Sequence, residues 1–380
     1  MSAVETSSNT SEQTKYLPPR SPFTHLIIIE PLGLLYGSSG RFLSPENLVG
    51  RSGSNFPPTA ATLSGLFAAS QNENADIRDL MLAGPFWGDV DELTSSEQNF
   101  YVPTPKNCLV KDGKIVDKLS WNRELEAWRN KDNETPVDKY DNNTWLAINN
   151  WNNPEEVKKN PWKFLAHLHP RLELEERHVI RNHEEQGSLF LENSVQMETG
   201  TCLVYLSNTK LEPGWYRFGG EGHMVDVRCE PLSQSLSELL NKPVGKKFAL
   251  ITPAVWGSNR LSKRVPVCLE KRDQTFYQQE QPIPENQEKN VWELEALFTS
   301  RPIPFRYRLG NRENENQQEN KHPFQPPKLL SRGRYAVPAG TVYILKEPIN
   351  QPWQEWNPNW FPREGPSLKR WGCGLALPLE

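Results

Sequence analysis

Residues 214–228 read GWYRFGGEGHMVDVR, and this stretch determines how the surrounding sequence is interpreted. Aromatic and apolar residues alternate with polar ones on both sides of three glycines, Gly219, Gly220 and Gly222. The pattern predicts a β-hairpin, because glycine adopts the positive φ angles that a tight turn requires. It fits a purely structural turn, and it also fits a binding surface where a ligand approaches the backbone closely.

A glycine-glycine-acid hairpin tip also occurs in the palm domains of nucleotide cyclases and polymerases. Their chemistry needs two neighbouring carboxylates to hold divalent metal ions. Here Glu221 is followed by Gly222 and His223, so the second carboxylate is missing. We therefore interpret the tip as a binding surface. Nucleotide turnover by the isolated protein with magnesium would revive the palm interpretation.

The composition indicates a soluble protein with long polar segments. Of its 380 residues, 36% are hydrophobic and 33 are prolines, and the mean hydropathy is -0.69. The net charge of -4 does not favour a nucleic-acid binder, although a local basic groove is compatible with it. The length predicts two domains, and the polar residues 1–21 predict a disordered tail.

The cysteines and histidines predict neither a metal site nor a redox site. No two of the five cysteines have C-x-x-C spacing, and no histidine pair has the spacing of a helical metal site. An odd number of cysteines without a signal peptide favours a reducing cytoplasm. No apolar run approaches the ~20 residues that a membrane span requires. We therefore expect a cytoplasmic protein without a cofactor or a membrane segment.

The N-terminal part predicts a strand, a loop and a helix. The β-branched run within residues 25–35 predicts a buried strand. Residues 37–41 (GSSGR) suit either a phosphate-cradling loop or a plain loop. A helix is predicted after Thr59, with Leu63 and Phe67 on its apolar face. Strand, loop and helix in this order match the first half of a ferredoxin-like unit.

Later elements are predicted from local patterns: strands at 178–181, 188–190, 202–205, 247–252 and, with a glycine kink, 335–345, and short helices at 232–240 and 291–298. Residues 129–161 are dense in Asn, Asp and Lys, which predicts a surface insertion. Outside the helix at 291–298, residues 271–330 predict a mobile polar loop.

The C-terminal segment combines Lys369 and Arg370 with Trp371 and two glycines, Gly372 and Gly374. Cationic side chains, an aromatic ring and a glycine-rich backbone suit the binding of single-stranded RNA. A packed C-terminal strand with a solvated basic start explains the same residues. The pattern alone does not decide between the two interpretations.

Taken in order, the motifs resemble one family, the RAMP-superfamily third subunit of type III-B (Cmr) CRISPR effector complexes, which caps the 5′ end of the guide RNA. The matching residues are 29–32, 40–42, 57–59, 62–65, 100–105, 178–180, 219–222, 252–253, 337–343 and 372–377. Each motif is weak alone, whereas the ordered set is fairly specific and covers most of residues 22–380.

The resemblance implies an α+β fold of two ferredoxin-like (RRM-like, RAMP) subdomains with large loop insertions. It divides the chain into a disordered tail (1–21), an N-terminal domain (22–243) and a C-terminal domain (244–380) with a polar insertion at about 271–330. It implies a non-catalytic subunit in antiviral defence. Its partners would be the 5′ handle of the CRISPR RNA (crRNA), the large polymerase/cyclase-like subunit and the backbone RAMP subunit.

The predicted RNA-binding residues combine the family motifs with the basic side chains beside them. They are Ser38, Gly40, Arg41, Arg51, Arg217, Gly219, Gly220, Glu221, Gly222, His223, Lys369, Arg370, Trp371, Gly372 and Gly374. One basic face toward RNA is sufficient for a capping subunit, and the remaining acidic surface would face solvent or a basic partner.

An alternative within the same superfamily is a metal-independent endoribonuclease that processes guide precursors. This chemistry needs a general acid and base near a 2′-hydroxyl. The available groups are His25, His178 and His223, with Tyr36 and Tyr216 as partners. They form no compact constellation in the sequence, so we prefer the non-catalytic interpretation. Specific cleavage of repeat RNA that is lost in a His223→Ala variant would reverse this preference.

Overall fold

The computed structural model describes residues 22–35, 56–70, 79–170, 189–219, 222–258, 261–269, 290–307, 331–364 and 367–380. Four predictions fall wholly or mostly outside these ranges: the disordered tail at 1–21, the loop at 37–41, the strand at 178–181 and the mobile loop at 271–330.

The described chain is rich in strands and has few helices, which is compatible with the predicted α+β class. In chain order its elements are β1 (His25–Pro31), α1 (Ala60–Ser70), β2 (Leu82–Asp89), α2 (Val90–Leu93), β3 (Tyr101–Pro103), β4 (Cys108–Lys111), β5 (Lys114–Lys118), β6 (Ser120–Asn122), β7 (Ala127–Arg129), β8 (Trp145–Ala147), β9 (Val157–Lys158), β10 (Trp162–Pro170), β11 (Leu189–Met197), β12 (Thr201–Ser207), β13 (Gly214–Phe218), β14 (His223–Pro231), α3 (Gln234–Leu240), β15 (Lys247–Leu250), β16 (Trp256–Gly257), β17 (Ser262–Lys263), β18 (Leu294–Phe298), β19 (Ile303–Phe305), β20 (Arg334–Ala336), β21 (Val342–Leu345) and β22 (Ala376–Pro378).

The larger sheet has eight antiparallel strands in the order β13-β14-β1-β12-β2-β3-β8-β9. The predicted strand within residues 25–35 is β1, which pairs with β14 on one side and β12 on the other. Its side chains are buried on both faces. Ile27 and Ile29 belong to the apolar cluster that also contains α1, whereas Leu26 and Ile28 belong to a second cluster on the opposite face. Burial on both faces explains the unbroken apolar run.

The predicted helix after Thr59 is α1, and the predicted face is the buried one. Leu63 and Phe67 are buried, as is Leu66, in the cluster shared with β1. The hydroxyl of buried Tyr205 on β12 donates to the carbonyl of Pro58 at 2.6 Å. This hydrogen bond fixes the start of the helix against the sheet.

The predicted hairpin at 214–228 is confirmed as β13 and β14, which form one edge of the larger sheet. The helix predicted at 232–240 is α3, and the side chain of its N-cap, Ser233, accepts from the Leu236 N–H at 3.4 Å. The strand predicted at 202–205 is the centre of β12.

The smaller sheet has four antiparallel strands in the order β18-β21-β15-β22. The strand predicted at 247–252 is β15. Phe248 on β15 stacks on Tyr343 of β21, with ring centroids 5.1 Å apart. Trp292 contacts both of these rings edge-on. Aromatic packing of this kind gives the smaller sheet a substantial core.

Two predictions for the C-terminal half were wrong. The segment at 291–298 was predicted as a helix, but Leu294–Phe298 pairs with β21 as strand β18. A short apolar run does not distinguish a helix from a strand. Here the pairing with β21 makes the segment a strand. Residues 335–345 were predicted as one strand with a glycine kink. Gly340 has a positive φ (78°), but the strand does not continue through it, since β20 and β21 lie in different sheets.

The Asn-rich stretch at 129–161 is not only a surface insertion. It contains β8 and β9, which complete the larger sheet, and a 3₁₀ turn at Ile148–Asn150. All three residues of β8 are buried. Strands this short have no recognisable alternation, so the polar composition around them dominated the prediction.

One continuous apolar cluster packs the inner face of the larger sheet against the smaller sheet. Two of the sequence motifs meet beside it. The N–H of Lys106, just after the motif at 100–105, donates to the carbonyl of Gly340 at 2.7 Å. A Cβ at Gly340 would lie 2.6 Å from the carbonyl oxygen of Thr104. The glycine is therefore needed for this close backbone contact.

The C-terminal glycine motif forms a second connection between the sheets, which we call the C-terminal joint (Thr252, Pro253 and residues 372–375). The Thr252 hydroxyl donates to the Gly372 carbonyl at 2.5 Å and accepts from the Leu375 N–H at 2.8 Å. Gly372 has a φ of 66° and rests on β2, so a Cβ there would overlap Ala83. This contact joins the end of the chain to the larger sheet.

Gly372→Ala should therefore destabilise the protein strongly. The left-handed backbone costs about 1–2 kcal/mol for a residue with a Cβ, and the overlap with Ala83 adds about 1–3 kcal/mol. Urea unfolding of the full chain measures the loss. Gly65→Ala is the matched control, because a Cβ there meets nothing within 4 Å and alanine favours its helix. Equal stability of both variants would contradict the role of the joint.

Candidate nucleic-acid interface

The β13–β14 hairpin directs two rows of side chains to opposite faces of the sheet. Phe218 and Val225 point into the core beneath α1. Trp215, Arg217 and Met224 point to the other face, where the smaller sheet does not cover them. Trp215 is 73% exposed and Met224 is 42% exposed. We call these three outward residues the hairpin face.

Arg217 lies across the glycine tip. Its Cδ is 3.5 Å from the position that a Cβ on Gly222 would occupy. Gly219 and Gly222 have φ angles of 84° and 65°, so the turn requires glycine at both positions. Among the described residues Arg217 forms no ion pair, and its guanidinium is exposed. It is therefore available to a phosphate or a carboxylate.

The second arginine on this side of the sheet is already paired. Arg228 donates to the carboxylate of Glu30 at 2.5 Å and lies 3.8 Å from a carboxylate oxygen of Asp226. All three residues are part-buried and hold β14 to β1. Arg217 and Arg228 therefore differ in role, although both were basic residues of one predicted hairpin.

Six of the predicted RNA-binding residues lie outside the described ranges: Ser38, Gly40, Arg41, Arg51, Gly220 and Glu221. Leu35 is the last described residue before the segment that contains Ser38, Gly40 and Arg41. Its backbone N–H and C=O form hydrogen bonds of 2.8 and 2.7 Å with the backbone of Val195. Leu35 follows the end of β1 that is nearest to the glycine tip.

Lys369 is not placed as predicted. The sequence suggested a basic residue facing RNA, but the side chain is 9% exposed. Its ammonium donates to the carbonyls of Gln354 at 2.8 Å and Trp356 at 2.5 Å. It also lies over the rings of Trp353 and Phe361, 5.4 and 5.7 Å from their centroids. Burial lowers the pKa of Lys369 to about 8.

The neighbours of Lys369 are also engaged within the chain. Arg370 donates through Nε to the carbonyl of Leu80 at 3.0 Å. Trp371 packs edge-on against Tyr307, with ring centroids 4.4 Å apart. A Cβ at Gly374 would lie 2.9 Å from the ring of Trp256. The interpretation as a packed C-terminal segment therefore explains these residues, as it does Gly372 in the C-terminal joint.

The two glycine motifs do not form one site. The glycine tip lies just beyond the Phe218–His223 pair of the hairpin. Gly372 contacts Ala83 of β2. Ala83 pairs with Leu206 of β12, which in turn pairs with Leu26 near the start of β1. The register therefore places them at opposite ends of the central strands, about 24 Å apart along the strand direction at ~3.4 Å per residue. Of these two motifs, the hairpin is the one whose described residues present an exposed arginine beside an exposed indole.

The candidate catalytic histidines are also separated. His25 pairs with Pro231, at the opposite end of the nine-residue β14 from His223. At ~3.4 Å per residue, the two lie about 25 Å apart. The hydroxyl of Tyr216 donates to the carbonyl of Glu212 at 2.8 Å, while His178 and Tyr36 lie outside the described ranges. These residues form no acid–base pair in the described part of the chain.

Within the described ranges, no three His, Cys, Asp or Glu side chains gather as metal ligands. No described helix has both the length and the apolar composition to cross a bilayer.

Trp215 was not among the predicted site residues. The signal was present in the sequence, because Trp215 and Arg217 stand two positions apart on a predicted strand and so share a face. The exposure of that face depends on where the smaller sheet ends, which no local pattern indicates.

A family model described as CRISPR-associated protein (Cas_Cmr3) matches residues 44–380. The chain belongs to this family. The assignment from the ordered motifs, to the third subunit of the type III-B (Cmr) CRISPR module, is thereby confirmed. Among curated proteins no relative matches the chain.

The chain is also similar to chains in two solved structures. One is described as the type III-B Cmr-beta bound to cognate target RNA, and the other as the same complex bound to cognate target RNA and AMPPnP, state 1. Each match has 11% identity and covers 84% of this chain and 86% of the other, with TM-scores of 0.41 and 0.40.

The buried amine of Lys369 predicts a particular pH dependence. Because burial lowers its pKa to about 8 in the folded state from an ordinary value of 10.5, the unfolded chain binds more protons between these values. Wild-type stability should therefore rise with pH over this window relative to Lys369→Met. Urea unfolding at both ends of the window measures the difference. The exposed Lys163→Met is the control, and parallel pH profiles for all three proteins would contradict the assignment.

Proposed function

We propose that this Cmr-family chain is a non-catalytic subunit of a type III-B CRISPR effector complex that binds the 5′ handle of the guide RNA. It would bridge the large polymerase/cyclase-like subunit and the backbone RAMP subunit, and so serve antiviral defence. The family match supports membership of the complex. The observation that carries handle binding is the hairpin face, where an exposed indole and an exposed guanidinium stand side by side.

The chemistry of the hairpin face suits single-stranded RNA. A base can stack on Trp215, which is 73% exposed and lies on an open sheet face. Arg217, two positions along the same strand, can neutralise the adjoining phosphate. Gly222 has no side chain beside Arg217, so the RNA backbone can approach the arginine closely.

The proposal of a non-catalytic role has one support in the sequence and one in the described residues. The glycine tip lacks the paired carboxylates of a palm domain. The histidines considered for RNA cleavage, His25 and His223, stand at opposite ends of β14. General acid–base catalysis needs both groups within hydrogen-bond reach of one substrate.

We also propose that each half of the chain is a ferredoxin-like unit. In that fold the first and third strands lie in the middle of the sheet, with the fourth beside the first and the second beside the third. The order β14-β1-β12-β2 has this arrangement, and so does β22-β15-β21-β18. In the second unit, 3₁₀ turns at Trp353–Glu355, Pro358–Trp360 and Leu368–Trp371 lie where the fold's second helix would be.

Arg217→Ala should weaken binding of a guide RNA carrying the handle and reduce the salt dependence of that binding by about one counterion. Trp215→Ala should weaken binding by about 1–3 kcal/mol at constant salt dependence, because a stacking contact is lost. Fluorescence anisotropy with labelled RNA over a salt series measures both effects.

Arg301→Ala is the matched control, because it removes an exposed arginine between β18 and β19, outside the sheet that contains the hairpin. Unchanged affinity in both hairpin variants would contradict the proposed handle site. RNA cleavage by the wild-type protein in the same assay would contradict the non-catalytic role.

A further inference from the structure

An acidic side chain, Asp226 of β14, lies beside the hairpin face. Asp226 is the register partner of Trp215 on β13, and Met224 is the partner of Arg217. Partners in an antiparallel pair lie on the same face of the sheet, with Cβ atoms about 4.5–5.5 Å apart. A carboxylate therefore stands next to the exposed indole on the open face of the sheet.

The carboxylate oxygens of Asp226 are available to a ligand. The side chain is 31% exposed, and it accepts no hydrogen bond from the part of the chain that the structure describes. The guanidinium of Arg228 is 3.8 Å away, which is too long for a hydrogen bond, and donates instead to Glu30 at 2.5 Å. Glu30 therefore satisfies Arg228, while Arg228 still offsets part of the negative charge of Asp226.

Positive and negative charge are separated along this face. Arg217 stands next to the glycine tip, whereas Trp215 and Asp226 stand two residues further from it, about 7 Å along the strands at ~3.4 Å per residue. A phosphate is attracted to Arg217 and repelled by Asp226. An RNA strand is therefore best placed with a phosphate at the tip and a base beside Trp215, where the edge of the base meets a carboxylate.

A carboxylate distinguishes the four bases by their hydrogen-bond donors, because it offers acceptors only. Guanine has two neighbouring donors on its Watson–Crick edge, the N1–H and the N2 amino group, and these match the two oxygens of one carboxylate. Adenine and cytosine have one amino donor beside a ring-nitrogen acceptor, and uracil has one N–H between two carbonyls. Guanine is therefore the base that gains most from a carboxylate at this position.

We propose that Asp226 selects a guanine base at the hairpin face. The base stacks on Trp215, and its N1–H and N2 amino group donate to the carboxylate of Asp226. Arg217 holds the adjoining phosphate, as in the handle-binding role on which this inference rests. Phosphate contacts position an RNA, whereas contacts to base edges specify its sequence. The hairpin face thus reads one base of the single strand.

The test uses the purified full chain and three labelled RNA probes: an oligouridylate, the same RNA with one central guanosine, and the same RNA with inosine in that position. Inosine keeps the N1–H of guanine and lacks the N2 amino group, so the two probes differ in one donor and stack alike. Fluorescence anisotropy is measured for wild type, Asp226→Asn, Trp215→Ala and Arg217→Ala. Circular dichroism checks that each variant is folded.

The matched control is Asp132→Asn, which makes the same charge change at an exposed aspartate in the loop after β7. Wild type and Asp132→Asn should bind the guanosine probe about tenfold more tightly than the inosine probe. Asp226→Asn should bind the two probes about equally, because asparagine has only one acceptor oxygen. Trp215→Ala should also lose the preference, because the base is no longer held beside Asp226.

Equal binding of the guanosine and inosine probes to wild type would overturn the inference, and so would a preference that persists in Asp226→Asn. In either case, weaker binding of the oligouridylate to Arg217→Ala and Trp215→Ala than to wild type would still support the handle site. Binding of all three probes that is unaffected by Arg217→Ala and by Trp215→Ala would overturn the handle site and the base preference together.

Discussion

The close contact of Gly372 with Ala83 joins the C-terminal half of this molecule to the larger sheet. The hydroxyl of Thr252 fixes the glycine turn that makes this contact, because it donates to Gly372 and accepts from Leu375. A buried hydroxyl with both of its roles satisfied is rigid, and leaving either partner unpaired would cost about 1–3 kcal/mol. Gly340 repeats the principle at the contact with Lys106. Several family motifs are therefore backbone contacts between sheets.

This structural use of the motifs changes where a ligand can bind. Basic residues beside the C-terminal glycines are committed within the chain: the ammonium of Lys369 bonds to two carbonyls, and Arg370 bonds to Leu80. The hairpin differs because it extends beyond the region that the smaller sheet covers, which leaves Trp215 and Arg217 exposed. The same glycine chemistry thus produces a joint at one end of the central strands and an accessible tip at the other.

Local patterns predicted the elements whose burial follows from their own sequence. The Ile27–Ile29 run, the apolar face of α1 and the glycine hairpin are of this kind, and each lies where it was expected. Predictions failed where a distant partner decides. Leu294–Phe298 is a strand because it pairs with β21. Trp145–Ala147 is buried because it pairs with β3 inside the larger sheet. Lys369 was predicted to face RNA for the same reason, since the carbonyls that accept its hydrogen bonds lie 13 and 15 residues earlier in the sequence.

Ultraviolet cross-linking of the assembled complex, with the cross-linked peptides located by mass spectrometry, tests the central claim most directly. The guide RNA would carry photoreactive uridines in its 5′ handle. The account predicts adducts on the hairpin peptide that contains Trp215 and Met224, and none on the peptide that contains Lys369 and Trp371. Adducts on the C-terminal peptide, with none on the hairpin, would contradict the division between a structural joint and an RNA-binding edge.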